Sequence, residues 1–424
     1  MAIAAVVIFV CAYALLASEK VHRTKVALVG AALMLLLRIT DSEHAFFSDH
    51  TGVEWNVVFL LLGMMVIVAV LRRTGVFEYV AIWAAKRTRG RPYALMVMLC
   101  VLTAVASALL DNVTTVLLIA PVTFLVCERL GLRPVPYLMA EVFASNIGGT
   151  ATLVGDPPNI IIAARGGLTF NDFLVHLTPI VVVLMVAFCL LARWLFRADF
   201  VYDPERAASV MRLNEREAIT DRGLLVKGLG VLGLVMLGFV LHPVLHYEPS
   251  VVALLGAGLL LLITDVDPGD AMREVEWPTL AFFAGLFIMV GGLVETGVIA
   301  DISQATADAT DGRLGVATMA LLGGSAVLSA IVDNIPYVAT MSPVVSDLVA
   351  AHGSGGHVLW WALALGADLG GNATAIGASA NVVALGIAER EGHPIGFWEF
   401  TKYGLVVTLV TVALCVPYLW LRYL

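Results

Sequence analysis

Twice in this chain a carboxylate and an amide stand side by side inside a long apolar stretch, as Asp111-Asn112 and as Asp333-Asn334. Residues 92–110 and 113–127 flank the first pair and are almost wholly apolar. A carboxylate at that depth costs roughly 2.5–3.5 kcal/mol on insertion scales, which makes it a functional candidate by default. Two further polar interruptions follow, at 144–159 and 367–381. The first holds Asn146, Thr150, Asp156 and Asn159, and the second holds Asp368, Asn372 and Asn381. Paired glycines in both, and Pro157-Pro158 in the first, unwind a helix there. Freed carbonyls, amide and hydroxyl side chains and half-helix N-termini then become ligands. The chemistry on offer is proton exchange at carboxylates and hydrogen bonding or cation ligation by neutral oxygens. Glycine, Asn and Thr in membrane helices often serve packing alone, but this whole set occurs twice.

The elements that carry these groups are also written twice. Glu54-Trp55 returns as Glu276-Trp277, Thr74-Gly75-Val76 as Thr296-Gly297-Val298, and Pro121 as Pro343, each 222 positions on. The same offset relates Asp111-Asn112 to Asp333-Asn334, Gly148-Gly149 to Gly370-Gly371, and Asn159 to Asn381. Five spans are expected per copy, near 2–17, 25–39, 55–71, 135–164 and 173–192, then near 224–241, 249–264, 277–294, 358–388 and 403–421. Between the third and fourth span of each copy lies an apolar hairpin with the Asp-Asn pair at its turn. A tip of that kind needs partners other than lipid, which favours a re-entrant hairpin over two full spans. The expected division is a first repeat at 1–197, a linker at 198–223 and a second repeat at 224–424. The fold class is an all-α polytopic membrane protein, with the broken helices at the midplane.

Composition supports the membrane assignment. Of 424 residues 60% are hydrophobic and 14% charged, with a mean hydropathy of +0.93. Apolar runs such as 57–70 recur, and a span needs about 20 such residues. The net charge of −8 is spread through short loops, and no basic stretch with interleaved aromatics points to nucleic acid. Cys11, Cys100, Cys127, Cys189 and Cys415 stand singly, so neither a disulfide framework nor a zinc site is expected. The apolar segment from Ala2 to Leu16 lacks a basic n-region and reads as a retained span.

An odd number of spans per copy inverts the second copy relative to the first. Loop charge agrees: Lys20, Arg23 and Lys25, then Arg72, Arg73, Lys86, Arg87, Arg89 and Arg91, mark cytoplasmic loops, whereas 40–54 is acidic. The equivalent of the second basic loop, 295–311, is acidic, and the Arg-rich linker falls in the cytoplasm. The acidic loop 265–276, also assigned inside, runs against the trend; acidic residues count little in this rule.

In these residues the chain resembles the ion-transporter superfamily, and within it the arsenite permease and P-protein branch. The resemblance runs along nearly the whole chain, and its specific part is Ser-Asn-Ile-Gly-Gly-Thr-Ala-Thr-Leu-Val-Gly-Asp-Pro-Pro-Asn at 145–159. It implies transport by alternating access, with a re-entrant hairpin and a broken helix from each copy. Asn112, Asn146, Thr150, Asn159, Asn334, Asn372 and Asn381 are then the expected substrate ligands. Asp111, Asp156, Asp333 and Asp368 are the expected proton carriers. Dicarboxylate carriers of the superfamily hold Ser-Asn-Thr at the tips, and the Asp-Asn here counts against a carboxylate substrate. Glu141 is one more carboxylate at depth, functional or merely hydrogen bonded to a neighbour.

The branch contains arsenite and antimonite exporters, sodium/proton antiporters and anion carriers. Arsenous acid is a small neutral trihydroxide at neutral pH, well served by carboxylate and amide partners. A multivalent anion would want Arg or Lys, and neither the tips nor the broken spans hold one. The leading expectation is therefore an inner-membrane exporter of arsenite or antimonite in exchange for protons, without a cofactor or bound metal. Sodium/proton exchange at clustered Asp and carbonyl oxygens is the first rival. A channel, or the membrane subunit of an ATP-driven pump, is the second. No GxxxxGK[ST] motif occurs, so an ATPase would be a separate chain.

Overall fold

A computed structural model describes residues 1–18, 20–48, 51–212, 214–310 and 312–424. All regular structure among them is helical. Among the described residues, seven helices are long and apolar enough to cross a bilayer: Trp55–Arg72, Pro92–Leu109, Asn112–Leu130, Thr178–Leu195, Arg222–Val240, Trp277–Glu295 and Phe397–Tyr423. Ala2–Ser18, Arg23–Leu36 and Pro249–Ile263 are shorter, at 17, 14 and 15 residues. Charged or proline-bearing ends limit the last two, and long side chains there can reach the interface.

Most helices of the two copies correspond. Trp55–Arg72 corresponds to Trp277–Glu295, Val76–Arg87 to Val298–Ala309, and Asn112–Leu130 to Asn334–His352. Gly75 and Gly297, with φ of 75° and 80°, make the same left-handed bend into the short helices Val76–Arg87 and Val298–Ala309, a conformation that favours glycine. The offset departs from 222 at the second span and the turn after it. Asp41 caps Ser42–Phe47 as Asp267 caps Pro268–Arg273, 226 positions on.

The copies interlock through these second spans. Arg23–Leu36 packs on Trp277–Glu295 of the other copy, and Pro249–Ile263 packs on Trp55–Arg72. Glycine makes both contacts close. A Cβ on Gly63 would lie 2.7 Å from the Ala253 backbone, and one on Gly285 would lie 2.8 Å from the Ala27 backbone. Close backbone approach through small residues is the usual adhesive between helices in lipid. Gly63 and Gly285 are equivalent in the repeat, so one contact is made twice.

Each expected hairpin is present, with arms longer than a half-membrane loop needs. Pro92–Leu109 has 18 residues and Asn112–Leu130 has 19, about 27 Å at 1.5 Å per residue. Its tip end is bonded to the broken span, through Thr152 Oγ1 to Ala108 O and Ser107 Oγ to Ser145 O. The linker holds a short helix, Pro204–Val210, and two 3-10 turns. It docks on the first copy through a Lys86–Glu215 ion pair and a 3.0 Å hydrogen bond from Thr220 N to Thr74 O.

Candidate functional site

The hairpin tips divide their two residues between separate tasks. Asp111 accepts from the Thr114 backbone N–H at 2.8 Å, and Asp333 accepts from that of Ile335 at 3.0 Å. Each thereby caps the helix that follows, the usual work of Asp at an N-cap. The amides next to them turn inward. Asn112 Nδ2 donates to Asp156 Oδ2 at 2.8 Å, and Asn334 Nδ2 lies 3.4 Å from both oxygens of the same carboxylate. Asp156 is thus held by one amide from each copy.

Equivalent bonds pin each broken span to its hairpin. Thr152 Oγ1 donates to Ala108 O and Thr374 Oγ1 to Ala330 O, both at 2.6 Å. Ser107 Oγ donates to Ser145 O at 2.8 Å, as Ser329 Oγ does to Ala367 O at 2.6 Å. Gly148 and Gly370 permit this approach: a Cβ on either would meet the backbone of Ala104 or Ala326 at 2.4 or 2.6 Å. The freed carbonyls of the breaks find amide donors. Asn159 Nδ2 reaches Thr152 O at 3.0 Å, and Asn381 Nδ2 reaches Gly371 O and Thr374 O at 2.7 and 2.8 Å. Unwound backbone at this depth is thereby satisfied by protein.

Asn146 joins the two breaks. Its Nδ2 donates to Asn372 Oδ1 at 2.9 Å and Asn381 Oδ1 at 3.0 Å, and its Oδ1 accepts from Asn112 at 3.1 Å. Asn112, Asn146, Asp156, Asn334, Asn372 and Asn381 therefore form one connected network, and Asp156, Asn146, Asn372 and Asn381 are fully buried. Thr150 bonds the Asn146 carbonyl at 2.9 Å at its edge.

Four buried oxygens at this centre have no well-formed hydrogen bond among the described residues: Asn112 Oδ1, Asn159 Oδ1 and both oxygens of Asp368, whose nearest donors are the Thr150 and Asn159 side chains of the other copy. Asp368 is fully buried. All four atoms are acceptors, so whatever binds them brings hydrogen-bond donors or positive charge.

Asp111 and Asp333 make no hydrogen bond to the central network, and Asp333 has a partner that inspection of the polar breaks did not anticipate. Ser379 Oγ donates to Asp333 Oδ2 at 2.5 Å. Arg23, from the first copy, donates to that hydroxyl and, at 3.1 Å, to Thr279 Oγ1. Its guanidinium also lies 5.5 Å from the Phe282 ring centre. In the sequence Arg23 is one of several loop charges, and only the interlocking of second spans carries it to the other copy's tip. It borders a cavity of about 360 Å³ that also exposes His22, Phe282, Asp333 and Val382. A second cavity of about 240 Å³ lies against Glu54, Leu60, Ile160 and Glu248. Leu60 and Phe282, like Ile160 and Val382, are equivalent in the repeat, so these cavities occupy the same place in the two copies.

Comparison with known proteins agrees with this architecture. Residues 13–366 match the family described as citrate transporter (CitMHS). A 46 kDa membrane protein of Mycobacterium leprae is 58% identical over 426 residues, covering 100% of this chain and 99% of that one. An uncharacterized transporter of Mycobacterium tuberculosis is 59% identical over 425 residues, with the same coverage. The human P protein is 35% identical over 487 residues, covering 95% of this chain and 58% of its own length. The crystal structure of the Alcanivorax borkumensis YdaH transporter, described as having an unusual topology, superposes with a TM-score of 0.62 at 18% identity. It covers 85% of this chain and 84% of that one, a likeness of fold.

Proposed function

Since this chain belongs to the citrate transporter family and is a multi-pass membrane transporter, we propose that it is a secondary carrier exporting arsenite or antimonite as the neutral trihydroxide in exchange for protons. The four buried acceptor oxygens at Asn112, Asn159 and Asp368, none with a well-formed hydrogen bond among the described residues, carry this reading. A trihydroxide brings three O–H donors to them and needs no counter-charge. Exchange follows if these oxygens hold either protons or the solute's hydroxyls, since two ligands competing for one site in an alternating carrier move in opposite directions. Asn112, Asn146, Thr150, Asn159, Asn334, Asn372 and Asn381 bind the solute, and Asp156 and Asp368 take the proton. Asp111 and Asp333 act from the tips.

The halves 1–197 and 224–424 are taken as inverted copies in the inner membrane, joined by a cytoplasmic linker at 198–223. The doubled Gly63–Ala253 and Gly285–Ala27 contact supports a two-fold relation between them. The two equivalent cavities serve as vestibules on opposite faces.

Citrate, the substrate in the family's description, is a poorer fit. Its carboxylates would meet Asp156 and Asp368, and the central network among the described residues contains no cationic side chain. A second reading, sodium/proton exchange, is favoured by the two buried oxygens of Asp368, which suit a hard cation.

Purified protein in liposomes under an imposed proton gradient separates these readings. Arsenite flux that collapses with the gradient is the expected result, together with arsenite resistance in cells lacking their own exporter. Sodium flux or citrate flux without arsenite flux overturns it.

A further inference from the structure

Glu141 lies in Pro134–Gly149, outside the central network, and is 2% exposed. The Thr123 hydroxyl, from the second arm of the first hairpin, donates to its Oε1 at 2.7 Å. Its Oε2 has no protein partner. A buried carboxyl with one partner is expensive to fold, and the repeat shows that the architecture does not need it. At the equivalent positions, 222 residues on, stand Leu363 and Val345, both fully buried. The same packing place is filled by an apolar pair in one copy and by a carboxyl–hydroxyl pair in the other.

The difference continues toward the centre. One turn from Glu141 on the same helix face, Ser145 Oγ lies 3.2 Å from both Ser107 Oγ and Asn112 O. Asn112 in turn donates to Asp156. The equivalent of Ser145 is Ala367. The hydroxyls of Thr103 and Thr115 are fully buried and unpartnered. Their equivalents, Ser325 and Tyr337, satisfy each other at 2.9 Å. Toward the hairpin base, one turn the other way, the Tyr137 hydroxyl donates to Pro92 O at 3.2 Å, where the second copy has Leu359. The first copy thus places polar side chains along the way from the hairpin base past Glu141 to Asp156, and the second copy has Leu359, Leu363, Val345 and Ala367 in place of Tyr137, Glu141, Thr123 and Ser145.

We propose that Glu141 is a proton-binding site separate from the central cluster, exchanging protons with Asp156 along these side chains from the base of the first hairpin. The proposal rests on the proton-coupled reading above and assigns the side from which the proton arrives. The titratable groups near Glu141 are the Tyr137 hydroxyl one turn away on its own helix and the thiols of Cys100 and Cys127, one on each hairpin arm. The other helices packed on Pro134–Gly149, namely Thr178–Leu195, Val358–Gly370, Ser379–Arg390 and Phe397–Tyr423, bring no charged group to it among the described residues.

The repeat supplies the test variant, Thr123→Val with Glu141→Leu, which copies the second half into the first. This protein should melt no lower than wild type, which excludes misfolding as a cause of lost flux. In liposomes holding a pH-sensitive dye, proton movement driven by an arsenite gradient should be lost in the double variant and partly restored in Glu141→Asp. Wild-type proton movement with an unchanged pH profile in the double variant overturns the proposal. Infrared titration of the purified protein gives a readout independent of substrate. A carboxyl band absent from Glu141→Gln should change with pH, and a band that does not titrate overturns the proposal. A titrating band in a protein that moves no arsenite would leave Glu141 as a proton site and remove the substrate assignment instead.

Discussion

Asn146 and Asn381 stand 235 positions apart and are joined by a 3.0 Å hydrogen bond from Nδ2 to Oδ1. With the 2.9 Å bond to Asn372, this single amide closes the seam between the two breaks. Any motion that opens the centre has to part it. Asn146→Ala leaves the Asn372 and Asn381 carbonyl oxygens unpaired, at about 1–3 kcal/mol for each buried group. The expected result is a lower melting temperature in detergent together with loss of flux. A variant that melts and transports like wild type would remove Asn146 from the site.

The two tip amides should differ in effect. Asn112 holds Asp156 at 2.8 Å and Asn146 at 3.1 Å, whereas Asn334 reaches Asp156 only at 3.4 Å. Asn112→Ala is expected to weaken solute binding by roughly 1–3 kcal/mol, and Asn334→Ala by less. Calorimetric titration with arsenite measures both; a larger loss in Asn334→Ala contradicts the geometry.

The carboxylates offer a separate check on coupling. Asp156→Asn and Asp368→Asn keep the side-chain shape and remove the titrating group. Flux in each should no longer vary with pH, while Asp111→Ala, which removes the cap on Thr114 N–H, should chiefly lower stability. If flux in both central variants follows the wild-type pH profile, the coupled protons travel elsewhere.

Arg23 reaches Asp333 through Ser379 and so ties the first copy to the second hairpin tip. Replacing it with Gln should loosen that side. A cysteine at Val382, which faces the same cavity, is expected to react faster with a water-soluble thiol reagent in Arg23→Gln than in the parent. Equal rates would show that Arg23 closes nothing.

The linker gives a pH test outside the membrane. The Lys86 ammonium bonded to Glu215 holds that carboxyl below its usual range. A carboxyl depressed in the folded state stabilises above its unfolded value and loses that contribution as pH falls through the folded one. Protection of the amides in 204–220, taken relative to intrinsic exchange at each pH, should therefore fall on acidification, and Glu215→Gln should show the lower protection at neutral pH.

Inversion itself is tested with single cysteines at Arg87 and Ala309, which are equivalent in the repeat. An impermeant thiol reagent should label them from opposite faces of the membrane. Labelling from one face would end the inverted reading.

Much of this arrangement was legible in the residues because a repeat writes its constraints twice. The Asp-Asn tips, the paired glycines and the amides at Asn159 and Asn381 share one offset, and the structure gathers most of them at one place. The division of labour at the tips was not legible, since Asp111 and Asn112 look alike as polar intruders until one is seen capping a helix. Arg23 was hidden for a different reason. Its partner lies in the other copy, and the second spans that bring them together fall outside the stretch that keeps the 222 register. The Glu141–Thr123 pair was visible only as a lone acid, because its meaning lies in the Leu363 and Val345 that replace it.

The exchange of second spans has a consequence for engineering. Gly63 on Ala253 and Gly285 on Ala27 are one handshake offered by each copy to the other. A free-standing half would expose its short second span and an empty groove beside its third, and a twin facing the opposite way would fill both. Neither half is thus expected to complete its own packing without the other. Cutting the chain within 204–220 and expressing the pieces together should regenerate a working carrier, while either piece alone should be degraded.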